Sequence, residues 1–308
     1  MIYMNHKLSS SQKPVVASFF DPMTHTVTHV VSDPSTKQAA IIDSVMDYEP
    51  ASATISYEHA DAIVDHVRKN GLIVEWILET HVHADHLSAA PYLAEKIGGK
   101  LGIGEHIVEV QEIFGKVFNA GTEFARDGSQ FDRLWKDGDT FSIGTIEARV
   151  LYTPGHTPAD VSYVIGDAVF VGDTLFMPDY GSARCDFPGG SAESLYDSVQ
   201  KIFALPDETR MFLCHDYVPA GRTTFAWETS VGEQKRRNVH LKTGTTKDSF
   251  VSTRTARDES LGAPTLIIPS LQVNMRSGDL PLPEDNGQRY LKVPVNSVFS
   301  KKKSDQKK

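Results

Sequence analysis

An α/β fold of the αββα sandwich type, two mixed sheets face to face with helices outside, is what the sequence predicts. Three observations carry that expectation. Short β-rich runs form a meander and hairpins, and between them strand–helix–strand units recur, so antiparallel and parallel pairings share one chain. Four apolar runs end on a histidine or an aspartate, which sets those side chains along one edge of stacked sheets. Finally, 308 residues with 40% hydrophobic and 23% charged composition suffice to bury a full core.

The elements follow in order. Pro14 to Phe20, Thr26 to Ser32 and Gln38 to Asp43 are β-rich and separated by the turns Asp21-Pro22 and Asp33-Pro34. Asp43 closes its strand, where it either caps the turn or reaches a site. Ala60, Ile63, Val64 and Val67 have helical spacing, and Asn70-Gly71 is a stop signal. A buried strand over 72–78 comes next, then a helix over 89–97 ending at Gly98-Gly99, and a strand over 100–103. Ile107, Val110, Ile113, Phe114, Val117 and Phe118 give a second helical stripe, whereas 119–135 has little periodicity and reads as a loop. Asp137-Gly138-Asp139 marks a hairpin before strands 140–143 and 146–152, and Gly166-Asp167 joins strands 160–165 and 168–171. A helix over 192–203 stops at Leu205-Pro206, a strand ends at Leu213, and one more helix is expected from Glu228 to Leu241. Beyond it, Thr, Ser, Pro and Gly become frequent and no long element is expected.

The chemistry sits at the strand ends. After Leu78 the chain reads Glu-Thr-His-Val-His-Ala-Asp-His, so His81, His83, Asp85 and His86 fall within six positions. Neutral imidazole and carboxylate are the groups a divalent transition metal prefers, and a sharp turn can aim all four at one point. The competing reading gives each polar residue a private use in the loop, which this spacing makes much the weaker. His156 in Thr-Pro-Gly-His-Thr-Pro, Asp173 in Phe-Val-Gly-Asp-Thr and His215 in Leu-Cys-His-Asp-Tyr repeat the pattern after later strands.

This His-x-His-x-Asp-His motif followed by separated His, Asp and His resembles the metallo-β-lactamase superfamily over roughly residues 15–240, and it implies that superfamily's sandwich. Within it, the segment Ala183-Arg184-Cys185-Asp186-Phe187, the run Ser194 to Val199 and Cys214-His215-Asp216-Tyr217 are similar to persulfide dioxygenases, in the bacterial branch termed β-lactamase hydrolase-like. The resemblance implies one ferrous iron held by His81, His156 and Asp173. His83, Asp85, His86 and His215 would serve as an outer shell or a second metal site. Arg184, Asp186 and Tyr217 would contact glutathione persulfide or a related thiol persulfide, with Tyr217 a candidate catalytic donor. The implied reaction uses O2 and yields sulfite and thiol, as in sulfide detoxification. Residues 218–227 look inserted relative to that family, His240 stands where it carries a substrate-contacting arginine, and Arg222 is a candidate substitute. Two alternatives stay open. One is a dinuclear zinc thioesterase of the glyoxalase II type, with zinc at the same ligands; the other is a non-catalytic sulfur or metal sensor.

Composition bounds the rest. A net charge of -9 gives no support for a nucleic-acid partner. Two cysteines, Cys185 and Cys214, are too few for a disulfide framework and fit a reducing bacterial cytoplasm. Cys214, ending an apolar strand, is expected to be buried and inert, Cys185 has in Arg184 a neighbour that could lower a thiol pKa, and neither is assigned a catalytic role. No stretch is long and apolar enough for a membrane span, and the Ser- and Lys-rich start gives only a faint hint of mitochondrial import. A homodimer is compatible with all of this. The expected organisation is a flexible start at 1–14, a catalytic domain at 15–245, a packed C-terminal extension at 246–298 and a basic disordered tail at 299–308.

Overall fold

The computed structural model describes residues 13–296, so the tail expected at 299–308 and most of the start expected at 1–14 lie outside the described residues. Strands β1 (Val15–Asp21), β2 (Thr26–Ser32) and β3 (Gln38–Ile42) open the chain as a meander, followed by the small hairpin β4 (Asp47–Glu49) and β5 (Thr54–Ser56). Helix α1 (Glu58–Asn70) leads to β6 (Ile73–Leu78), then come α2 (Ala90–Ile97), β7 (Lys100–Gly104), α3 (Ile107–Val117) and β8 (Arg133–Trp135). The second half runs β9 (Thr140–Ile143), β10 (Ile146–Tyr152), β11 (Val161–Ile165), β12 (Ala168–Phe170), α4 (Ala192–Phe203), β13 (Arg210–Phe212), β14 (Glu228–Ser230) and α5 (Val231–Arg237). Helices α6 (Lys247–Ser260) and α7 (Ile267–Asn274) complete it.

Two six-stranded mixed sheets result, ordered β1-β2-β3-β6-β7-β8 and β14-β13-β12-β11-β10-β9. The first turns parallel from β3 onward, because helices return the chain to the same end. In the second, β12 and β13 are the parallel pair, joined through α4. Ile42, Leu78, Tyr163, Ile165 and Phe170 interlock between the sheets as the central core. α1 and α2 pack through Ile63, Val67 and Leu93 on the outer face of the first sheet. α4 covers the second through Leu195, Val199 and Ile202, with Phe250 of α6 added to the same layer. This is the expected sandwich. Among the described residues no helix is long and apolar enough to cross a membrane.

Three expectations need correction. The turn at 136–139 does not join a hairpin: β8 pairs with β7 in the first sheet and β9 with β10 in the second, so the turn carries the chain across the sandwich. Gly138 supplies the left-handed φ of 82° that this reversal needs. The helix expected at 228–241 begins as strand β14, since Arg210↔Ser230 pairing continues the sheet edge, and its helical part ends at Arg237. The stretch beyond 241 holds α6, with 14 residues, where no long element was expected. Its buried positions Phe250, Arg254 and Asp258 repeat every four residues, but two of the three are charged, so no apolar stripe marks it.

Candidate metal centre

Every ligand-type side chain of the motif stands beyond the C-terminal end of a strand. His81, His83, Asp85 and His86 follow β6, His156 follows β10, Asp173 follows β12 and His215 follows β13, so the two sheets feed one cluster. Two glycines make the approach feasible. Gly172 (φ 50°) would place a Cβ 2.4 Å from Thr80 Oγ1, and Gly155 (φ 149°) would drive one to 2.5 Å from the backbone of Leu195. Both are required by close contact beside ligand positions.

The donor atoms of His81, His156 and Asp173 all lie within 4.8 Å of one another, and all three residues are buried. A second group, His83, His86, Cys214 and His215, meets the same limit. His156 Nε2 is 3.7 Å from Asp173 Oδ2, and His215 Nε2 is 3.1 Å from Asp85 Oδ2 and 3.3 Å from Asp173 Oδ1. These last two contacts lack hydrogen-bond alignment, for His215 Nε2 has no hydrogen-bond partner.

The outer shell decides which ring nitrogen faces the cluster. Nδ1 of His156 donates to the carbonyl of Arg184 at 2.9 Å, Nδ1 of His86 to Leu87 at 3.3 Å and Nδ1 of His215 to His25 at 3.2 Å. His81 Nδ1 donates to Thr80 Oγ1 at 3.0 Å, whose own hydroxyl is spent on Asp43. Because a carbonyl or an already donating hydroxyl only accepts, each of these rings carries a proton on Nδ1 and turns Nε2 toward the cluster. His83 is reversed. Its Nε2 lies 3.0 Å from both Asp43 Oδ1 and Glu79 Oε2, so Nδ1 turns inward. Glu79 is held in turn by Ser88 Oγ at 2.6 Å.

The electrostatics follow from this packing. Burial, with His83, His156, His215 and His86 around it, lowers the His81 pKa well below the usual range, so that ring is neutral. Burial would lower His83 as well, but the charges of and bonds to Asp43 and Glu79 outweigh it and raise the pKa. Burial raises the Tyr217 phenol, with Asp85 and Asp173 adding to it, so the phenol stays an O–H donor.

A metal fits this set. His81 Nε2, His83 Nδ1, His86 Nε2, Asp173 Oδ1 and His215 Nε2 are all buried without a hydrogen-bond partner. An unsatisfied buried polar atom costs about 1–3 kcal/mol, so five in one cluster would be a heavy load unless a cation binds there, displacing the ring proton that Asp43 and Glu79 favour on His83.

Beside the cluster lies a cavity of about 690 Å³ lined by Asp85, His156, Asp173, Arg184 and Tyr217, with Met46, Tyr48 and Leu266 as apolar wall. Such a volume suits a small organic ligand. Arg184 faces it with its fork already on Asp186, at 2.6 and 2.7 Å, and Nη1 on the carbonyl of Gly262 at 2.6 Å. Arg222 stands away from the cavity wall and is engaged by Asp216 and Asp179, and His240 accepts from the backbone N–H of Ser182. Cys185 and Cys214 are free and buried, and burial raises both thiols, as expected for inert cysteines.

The seven ligand-type residues named from the sequence come together in one cluster. It left Asp43 undecided between cap and site, and the structure puts it at the site. Glu79, Ser88 and Asn274 were missed; a carboxylate at a strand end four residues before a candidate ligand was a usable signal for Glu79 alone.

A profile of the metallo-β-lactamase superfamily matches residues 22–215. A probable metallo-hydrolase of Burkholderia pseudomallei is 53% identical over 92% of this chain and 99% of its own. The mitochondrial persulfide dioxygenase ETHE1 of Homo sapiens is 29% identical over 66% of this chain and 68% of its own. Among solved structures, the crystal structure of ETHE1 from Myxococcus xanthus covers 86% of this chain and all of its own, with TM-score 0.68 and 30% identity.

Proposed function

The chain belongs to the metallo-β-lactamase superfamily and is a metal-dependent enzyme, and from that premise we propose that it is a persulfide dioxygenase with one ferrous iron, acting on glutathione persulfide or a related thiol persulfide. The observation that carries the reading is the buried trio His81, His156 and Asp173, two imidazoles and one carboxylate gathered within 4.8 Å beside the cavity. That is the donor set of mononuclear non-heme iron oxygenases. The likeness to ETHE1 in sequence and structure supports the same choice.

His81, His156 and Asp173 would hold the iron, which would supply the redox chemistry that joins dioxygen to the terminal sulfur. The remaining work falls to the protein. Thr80 and the Arg184 carbonyl lock the rings of His81 and His156 so that both lone pairs face one point. Asp85 and His215, in contact at 3.1 Å, would orient water, and the Tyr217 phenol, kept protonated by burial, would offer a hydrogen-bond donor at the cavity wall. Arg184, held by Asp186 from outside the lining, forms part of the wall that would receive the thiol carrier. The balance is persulfide plus O2 plus water giving thiol and sulfite: both oxygen atoms end on the outer sulfur, which gives up four electrons, and water cleaves the S–S bond. The proposed setting is the cytoplasm.

A dinuclear zinc thioester hydrolase is the second reading. It is favoured by the second group of donors, His83, His86, Cys214 and His215, and by the metallo-hydrolase name of the Burkholderia relative. The test is anaerobic loading of the metal-free protein with ferrous iron, followed by glutathione persulfide and oxygen. Oxygen uptake matched by sulfite release, and lost in His156→Ala, is expected. No uptake, together with thioester hydrolysis by the zinc-loaded protein, would overturn the dioxygenase in favour of the hydrolase.

A further inference from the structure

The turn over 83–88 carries His83, Asp85 and His86 beyond the end of β6, where the sheet no longer pairs the peptide groups of His83, His86 and Ser88, although Met46 N–H reaches the carbonyl of Leu87 at 2.7 Å. Those groups are buried and must find partners elsewhere, since an unpaired buried carbonyl is costly. One side chain satisfies three of them. Asn274, the last residue of α7, donates from Nδ2 to the carbonyls of His83 at 2.9 Å and His86 at 2.7 Å, and its Oδ1 accepts from the N–H of Ser88 at 2.8 Å. Its exposure is 4%. Both amide hydrogens and the oxygen are therefore used, and all three bonds reach across at least 186 residues of sequence.

The surroundings keep that amide in place. Gly278 (φ 101°) lets the chain leave α7 so close to the turn that a Cβ there would stand 2.8 Å from the carbonyl of Ser88. Gln111 holds the carbonyl of Met275 at 3.0 Å. The opposite end of the same segment braces the substrate wall: Asp258 accepts from the N–H of Cys185 at 2.9 Å, and Arg254 donates to the carbonyl of Ser182 at 3.0 Å.

We infer that Asn274 is a positioning residue for the second donor group, setting the peptide planes at His83 and His86 so that His83 Nδ1 and His86 Nε2 face the cluster, where they can hold a metal ion beside the trio His81, His156 and Asp173. The physical reason is direct. If either carbonyl loses its amide partner, its peptide plane turns to seek another, and the adjoining Cα–Cβ bond turns with it. Residues that orient ligands in this way typically contribute about 10- to 100-fold in metal affinity.

The test uses the full chain and cobalt(II), whose visible ligand-field bands report donor geometry without any turnover. Asn274→Ala removes all three bonds; Asn274→Asp keeps the shape and the acceptor for Ser88 but loses both donors, and it carries the test if the alanine variant does not fold. Gln272→Ala loosens the same helix, because Gln272 bonds the backbone of Lys292 at both ends of its amide, without touching the turn. Expected are a loss of cobalt affinity of about 10- to 100-fold and shifted bands in the Asn274 variants, with parental affinity and bands in Gln272→Ala. Parental affinity and spectrum in Asn274→Asp would overturn the inference. So would an equal loss in Gln272→Ala, which would assign the effect to docking of α7 as a whole. Neither readout involves persulfide or oxygen, so failure of the proposed reaction leaves this result standing, and the reverse holds too.

Discussion

At the scale of single residues, the most consequential groups are those that choose which nitrogen of a histidine is bare. His29 shows the principle away from the ligands. It lies buried on β2 with Nε2–H donating to the carbonyl of Leu213 at 3.0 Å and Nδ1 accepting from Ser18 Oγ at 2.9 Å, a pattern only the neutral ring can make. Burial lowers its pKa to about 4, although the Leu213 bond and the charge of Asp43 pull the other way. The unfolded chain therefore binds this proton between about pH 6.5 and pH 4 while the folded chain does not, so stability falls as pH drops through that window. At pH 4.5 the loss from this one ring is about 2–3 kcal/mol. His29→Gln, which can still donate to Leu213, should lack it. Urea unfolding of metal-free protein at pH 7 and 4.5 should show parent and variant drawing together by that amount at the lower pH; parallel losses would refute the assignment. None of this was visible in the sequence, where His29 is one polar position in a strand. The candidate ligands were legible because they follow apolar runs, whereas Asn274 and Glu79 act through partners that only the fold brings near.

At the scale of elements, most boundaries could be read because apolar periodicity and turn residues agree there. Helix α4 and strands β2, β9 and β10 begin and end where the pattern says. Helix α6 could not be read, since what it buries is Phe250 and an ion pair. Arg254 Nη2 lies 2.6 Å from Asp258 Oδ1, with side-chain exposures of 2% and 6%. The pair also serves the active-site loop, through Ser182 and Cys185. A buried pair is more costly to break than to replace: removing one partner leaves a charge with no solvent and no counter-ion, which typically costs about 3–5 kcal/mol. Asp258→Ala should therefore destabilise by about that much, while the double replacement Arg254→Met with Asp258→Leu should recover a good part of it. Denaturant unfolding of the two variants decides the point. A double variant no more stable than the single one would mean that the bonds to the 182–185 loop, and not the unpaired charge, dominate.

At the scale of the whole molecule, the sandwich was legible from strand ends, but the path between its halves was not. The segment 119–135 hides β8 because three residues paired on one side carry too little pattern, and the crossing at 136–139 uses turn chemistry that a hairpin would also use. What joins the halves chemically is the cluster itself, with His81, His83, Asp85 and His86 supplied from the first sheet and His156, Asp173 and His215 from the second. A metal bound there is therefore a cross-link between the two layers, present only when both are folded. Linkage then fixes its effect on stability: a ligand that binds only the folded chain adds about 1.4 kcal/mol for each tenfold rise in free metal above its dissociation constant, or about 2.7 kcal/mol at a hundredfold excess. In a chain of this size that corresponds to a rise in Tm of roughly 5–10 °C, since 1 kcal/mol shifts domains of comparable length by about 2–4 °C. Thermal melts over a buffered series of free zinc or cobalt should give a Tm that climbs with the logarithm of metal concentration and falls to a floor with chelator. His215→Ala should move the onset of the climb to higher free metal, because it withdraws a donor contributed by the second sheet and so raises the dissociation constant. A Tm that ignores free metal across the series would mean that the two layers hold their donors in place unaided and that the cluster contributes chemistry but no stability.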